Sequence, residues 1–323
     1  MVGALQQVHR PAMSVETVPA AQTDSSARGF GLAFAAYFVW GFLPLYMKAV
    51  AHIPAAEVVA HRALWSIPIG AAALLWIGRT GDVLVALRTP RMLGMAVVTA
   101  AIISVNWGIY VWAIAANRTV EAALGYYINP LFSVFLAAMF LGEKLKRAQS
   151  VAIGLAVIAV AILTWERGGL PWVSVALAVT WGFYAMFKRS LPIGPNQGFF
   201  LEVVLISVPA IAYLTWLGFN GQSHFFGGPD GINPWLLAAS GLATAVPLML
   251  YANGAKLLKL SIIGMMQYIA PSIVFLIAVF WFREPFTFTT LVSFLFIWLA
   301  VAVFTSSVFL ARKTGETGPT SSR

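Results

Sequence analysis

The sequence predicts an all-α integral membrane protein: ten transmembrane helices arranged as two inverted five-helix repeats. Three observations lead there. Hydrophobic residues make up 60% of the 323 positions and charged residues 10%, with a mean hydropathy of +0.84. Soluble domains stand at about half apolar and about a quarter charged. Apolar runs longer than about eighteen residues recur along the chain, which favours a helical bundle over a β-barrel. Finally, the sequence repeats itself at an offset of 141 residues. Gly125–Glu143 aligns without a gap on Met266–Glu284, placing Tyr127, Ile128, Pro130, Ala137 and Glu143 on Tyr268, Ile269, Pro271, Ala278 and Glu284. The same offset carries Trp40-Gly41-Phe42 onto Trp181-Gly182-Phe183, and Tyr110 onto Tyr251. In so apolar a chain, two related halves point to a secondary transporter with its site between the repeats.

Taken in order, the first half predicts spans at 30–50, 56–77, 92–113, 120–141 and 148–165. The second half predicts 171–189, 197–217, 234–255, 260–282 and 287–310. The second span is unusual in opening with Glu57, His61 and Arg62, and the seventh in containing Glu202. The domain plan is a tail at 1–28, a first repeat at 29–166, a second at 167–311 and a tail at 312–323. Residues 1–28 are polar, without an apolar central stretch, and so read as a disordered tail and not as a signal peptide. Five spans per half is an odd number, so the second half enters the membrane from the opposite face.

The net charge of +9 comes from basic residues scattered through short connectors, not from one nucleic-acid-binding face. Fifteen of the 20 Lys and Arg residues fall on the side of the two tails, against four on the other, which predicts cytoplasmic termini. The longest external connector, near Asn220–Asn233, is glycine-rich, nearly uncharged and too short to be a catalytic domain. Zero cysteines exclude disulfides and thiol chemistry.

Several segments carry a resemblance: AAYFVWGFLPLYMK (Ala35–Lys48), PAAEVVAHRALWS (Pro54–Ser66), NWGIYVWA (Asn106–Ala113) and LGYYINPL (Leu124–Leu131). The chain resembles the EamA-type transporters of the drug/metabolite transporter superfamily and, more specifically through the Glu-x-x-x-His-Arg run with Asn-Trp-Gly, the RarD group. The resemblance covers about residues 30–310. It implies the ten-helix fold and a central substrate cavity. It does not imply a substrate, the group being labelled chloramphenicol-sensitive by association.

Charge inside a bilayer costs roughly 2.5–3.5 kcal/mol on insertion scales, so each such residue needs a reason. Glu57 and His61 stand four apart on one helical face, close enough to share a proton, and Arg62 lies about 100° further round. Under the repeat offset His61 falls on Glu202. One reading has Glu57 or Glu202 binding a proton during transport, His61 tuning it and Arg62 holding an anionic group. The other makes Glu57, His61 and Arg62 a structural clamp at the external interface, with Glu202 paired to Lys188 or Arg189.

Of the deeper polar groups (Asn106, Tyr110, Tyr127, Asn129, Gln267, Tyr268), Asn106 and Tyr110 suit a cavity best, although amides also tie helices together. Trp40 sits mid-span and is the best aromatic candidate among Trp40, Trp107, Trp112 and Trp181. Pro130, Pro247 and Pro271 predict kinks or hinges. Glu143 and Glu284 read as boundary residues in the headgroup region.

The implied function is a secondary transporter working by alternating access on a small metabolite or drug, with a proton or a counter-substrate supplying the driving force. The alternatives are an intramembrane enzyme or a non-transporting membrane partner. No Walker-type phosphate loop and no His-Glu-x-x-His motif occurs, so no cofactor, catalytic residue or metal site is predicted.

Overall fold

A chain crossing hydrocarbon must satisfy its backbone polar groups internally, and helix is the local way to do it. In the computed structural model, which describes residues 20–142, 145–226, 231–258 and 260–313, every regular element is helical. The first half comprises α1 (Ala20–Ala49), α2 (Ala55–Ile77), α3 (Gly81–Arg88), α4 (Pro90–Ala115), α5 (Thr119–Leu141) and α6 (Arg147–Arg167). The second comprises α7 (Trp172–Ser190), α8 (Pro195–Phe219), α9 (Asn233–Leu257), α10 (Leu260–Met266), α11 (Ile269–Leu276) with a π-helical turn at Ile277–Trp281, and α12 (Phe288–Lys313). Prolines open helices where no N–H is needed, at Pro90 of α4 and Pro195 of α8. Gly78, Gly142 and Gly168 end α2, α5 and α6 in the left-handed region, which a side chain would disfavour.

Among the described residues, nine helices are long and apolar enough to cross a membrane, one of them being the compound Ile262–Trp281 stretch. The tenth by position is α7, long enough at 19 residues but less apolar because it ends in Lys188 and Arg189. Three features depart from expectation. α1 begins at Ala20, so residues 20–28 are helix where a tail was expected, and α12 continues to Lys313. Between the second and third spans lies the short amphipathic α3, which buries Val83 and Ala86.

The repeat is visible in the packing. Under the 141-residue offset α1 corresponds to α7, α2 to α8, α4 to α9, α5 to α11 and α6 to α12. α1 packs on α9 and α11, and its counterpart α7 packs on α4 and α5. α2 meets α9 as α8 meets α4, while α2 with α8 and α6 with α12 pack across the pseudo-axis itself. The most extensive contacts thus run between halves, not within them. Two glycines mark the correspondence: a Cβ on Gly41 would meet Ile273 at 2.7 Å, and one on Gly182 would meet Phe132 at 2.5 Å. Ile273 and Phe132 are themselves related by the offset.

Of the expected kinks, only Pro271 coincides with a break. α10 ends at Met266, Gln267 and Tyr268 form a turn, and Pro271, in the first turn of α11, lacks the N–H that would bind the Gln267 carbonyl. Pro130 and Pro247 lie inside continuous helices, as do Pro44, Pro68 and Pro209. Pro68 falls on Pro209 by the repeat offset, a pairing that the alignment contains.

Glu284 packs between the halves. It is buried, and its two carboxylate oxygens accept the Thr119 and Val120 N–H groups, each at 2.8 Å, capping α5 from the other half. Its counterpart Glu143 lies outside the described residues. Glu284→Ala should therefore destabilise the protein by about 0.5–2 kcal/mol, the usual range for a lost cap. Glu284→Gln, which keeps one acceptor, should cost less. Thermal unfolding in detergent checks this, and equal stability of all three proteins would remove the capping role.

Candidate functional site

The site grows from the first three turns of α2. Pro54 starts the helix and puts Glu57 in its first turn, where a carboxylate suits the helix dipole. The α8–α9 connector folds back over this end. Glu57 is completely buried and accepts the His224 backbone N–H at 2.8 Å and the Ser223 hydroxyl at 3.4 Å, while His224 Nδ1 stands 2.7 Å from its second oxygen. Asn233 Nδ2 donates to the His224 carbonyl at 2.9 Å, and His52 Nε2 lies 2.9 Å from Asn233 Oδ1, so the connector is fastened at two points. Phe225 enters beside it, stacked on the His61 ring at 5.0 Å and on Trp65 at 6.4 Å.

The expected Glu57–His61 pair is not made. Ser223 and His224 take the Glu57 carboxylate, while His61 lies face to face with Phe225 and both its ring nitrogens are buried without a hydrogen-bond partner.

One residue further on, Arg62 turns inward. It is 4% exposed, its Nε donates to Thr244 Oγ1 of α9 at 3.0 Å, and its guanidinium lies 4.9 Å from the Trp107 ring of α4. Tyr46 of α1, Tyr110 of α4 and Tyr126 of α5 are near enough to interact with its charge. Nη1 is buried and has no hydrogen-bond partner. Arg62 stands about 6 Å from the midpoint of α2 at 1.5 Å rise per residue, well inside the bundle.

An aromatic lining extends to either side in both halves. Tyr110 meets Tyr126 at 5.6 Å, and Tyr126 meets Trp181 edge-on at 6.4 Å. In the related position Trp40 meets Tyr251 at 5.6 Å, with Tyr37 against both. Trp40 is thus part of an aromatic cluster between α1 and α9.

Asn106 does not face an open space. Its amide donates to the Leu177 carbonyl at 3.2 Å and to Thr180 Oγ1 at 2.8 Å, fastening α4 to α7. Gln267 sits half-buried at the break between α10 and α11. Glu202, on α8, is 1% exposed and pairs with Lys188 Nζ at 2.7 Å, while its other oxygen accepts the Tyr184 hydroxyl at 3.2 Å. Glu202 and Lys188 lie toward the end of the bundle that carries the chain termini, Glu57 and His224 at the opposite end. Arg62 lies between these two clasps.

The sequence did not point to His224, Thr244, Tyr46 or Tyr126. The usable signal was His224, an ionisable residue in an otherwise nearly uncharged connector. Among the described residues no group of three or more His, Cys, Asp or Glu could hold a metal ion.

A bundle of long apolar helices in two interleaved halves, with Glu57, Arg62 and Glu202 buried inside it, is the architecture of a multi-pass membrane protein. The EamA-like transporter family model matches the chain twice, over residues 27–165 and 169–306, and the chain belongs to that family. It is 39% identical over 272 residues to the protein RarD of Streptomyces exfoliatus, covering 84% of this chain and 86% of that one. It is 35% identical over 291 residues to the protein RarD of Escherichia coli K12, covering 90% and 98%. A solved structure titled "Crystal structure of protein" shares the fold, with a TM-score of 0.57 and 19% identity over 89% of this chain and 99% of that one.

Proposed function

We propose that the chain is a secondary transporter of a small molecule, working by alternating access in a prokaryotic cytoplasmic membrane with both termini inside. The two repeats, 29–166 and 167–311 between short tails, interleave, so the moving bodies in this reading are helix bundles that draw on both repeats. The observation that supports this reading is a buried cation, Arg62, enclosed where the halves meet and closed off by a charged clasp toward each end. Opening the His224–Glu57 clasp and withdrawing Phe225 exposes one side, and opening Lys188–Glu202 exposes the other. Glu57 and Glu202 are the coupling carboxylates in this scheme, since protonating either one releases its partner. The lysine and arginine bias supplies the orientation. We read the chain as a carrier and not an intramembrane enzyme because it belongs to the EamA-like transporter family.

The test is uptake by purified protein in liposomes under an imposed pH gradient, with a pooled metabolite and drug mixture and mass spectrometry of the lumen. Coupling to one proton allows up to about tenfold accumulation per pH unit. Glu57→Gln and Glu202→Gln should each abolish that gradient-driven part while leaving exchange at equal pH. If both variants accumulate cargo like the parent across pH, neither carboxylate is the coupling group. If folded parent protein moves nothing, the carrier reading fails.

A further inference from the structure

The acidic residues whose side chains are described are all accounted for, and none answers Arg62. Glu57 is held by Ser223 and His224, and Glu202 by Lys188 and Tyr184. Glu284 caps α5, Glu121 pairs with Arg118, Asp82 with Arg79, and Glu166 accepts from Thr287. Asp24 lies in the first turns of α1, at the terminus-bearing end. A guanidinium 4% exposed thus sits inside a membrane bundle without a counter-charge among the described residues, with Nη1 unsatisfied. Such a group is costly unless something occupies its charge and its donors.

The surroundings say what kind of group fits. The guanidinium is a planar fork that matches a carboxylate. Thr244 holds Nε at 3.0 Å, which fixes the plane, while Nη1 has no partner. Around it stand flat faces and phenolic hydroxyls, not further cations: Trp107 at 4.9 Å, with Tyr110 and Tyr126 beyond. An inorganic anion would use the charge and waste the rings, whereas an acid with a flat apolar body uses both.

We propose that Arg62 anchors the carboxylate of the transported molecule while Trp107, Tyr110 and Tyr126 receive its apolar body. The substrate class is then small, flat carboxylic acids, carried as anions. This rests on the carrier reading above and narrows it to one chemistry. In transport, the incoming carboxylate supplies the missing counter-charge, so the loaded site is neutral while the halves move.

The experiment is equilibrium binding and thermal unfolding of the purified parent in detergent, with benzoate, cinnamate and 2-naphthoate, each beside its own amide. Chloride and phosphate serve as anions without a ring. At least one acid should bind and raise the melting temperature, with its amide at least about tenfold weaker, as expected for loss of a charged hydrogen-bond partner. Arg62→Gln should lose the same factor for the acid, and Arg62→Lys, which keeps charge without the fork, should fall between. The acid–amide comparison uses the parent alone, so it stands even if an Arg62 variant does not fold. The proposal is overturned if no acid is preferred over its amide, if chloride or phosphate displaces the acids on equal terms, or if folded Arg62→Gln binds the acid like the parent. Binding without flux in liposomes upholds the carboxylate site and sinks the carrier reading. Flux of cargo with no acid preference does the reverse.

Discussion

Replacing Lys188 with methionine should lower the stability of the folded protein by about 3 kcal/mol. Removing one partner of a buried ion pair typically costs about 3–5 kcal/mol because the other charge is stranded. The lower end applies because the Lys188 side chain is 21% exposed, whereas that of Glu202 is 2% exposed and has only the Tyr184 hydroxyl besides. The double variant Lys188→Met with Glu202→Gln removes the stranded charge and should regain most of the loss. Unfolding titrations of the parent, the single variant and the double variant measure both steps. A double variant no more stable than the single one would mean that Glu202 does not depend on Lys188.

Gly241→Val should have the other large effect. A Cβ at Gly241 would stand 2.4 Å from the Trp65 carbonyl carbon and oxygen, which are backbone atoms of α2 and cannot swing aside. Overpacking costs typically about 1–3 kcal/mol where side chains can give way, so a clash with rigid backbone belongs at or above that range. It would also part α2 from α9, the pair that hold Arg62 and Thr244 together. The expected result is a sharp fall in folded yield and melting temperature, and loss of transport in whatever folds. Gly108→Ala on α4 is the control: nothing lies within 4 Å of its added Cβ, so stability should be unchanged or raised. If Gly241→Val were as stable as the parent, the two helices would have to be farther apart than described here.

Much of this was legible in the residues. The repeat offset paired the helices that pack as counterparts, and the rarity of charge in the spans singled out Glu57, Arg62 and Glu202, all of which are buried. Reading partners was harder. Glu57 and His61 are neighbours on one helix, and local spacing made them the natural pair. The donors that won belong to a connector 166 and 167 residues away, which no periodicity of α2 can reveal. Asn106 suited a cavity or a tie between helices, and the structure uses it as a tie, to a carbonyl and a hydroxyl of α7. α7 was predicted as a span at 171–189, although its terminal Lys188 and Arg189 weaken its apolar signal. The common reason is that element type follows local pattern, whereas polar pairing follows which surfaces the assembled bundle brings together.

The interleaving of the halves bears on how the protein is made. Synthesis delivers α1 to α6 to the membrane first, yet the main partners of α1 and α2 are α9, α11 and α8. Until the second half emerges, Glu57 has no His224, Arg62 has no Thr244, and α5 has no Glu284 to close its first turn. The first half is therefore a waiting intermediate with polar groups facing lipid or the insertion machinery, and only the arrival of the second half makes it a stable resident of the bilayer.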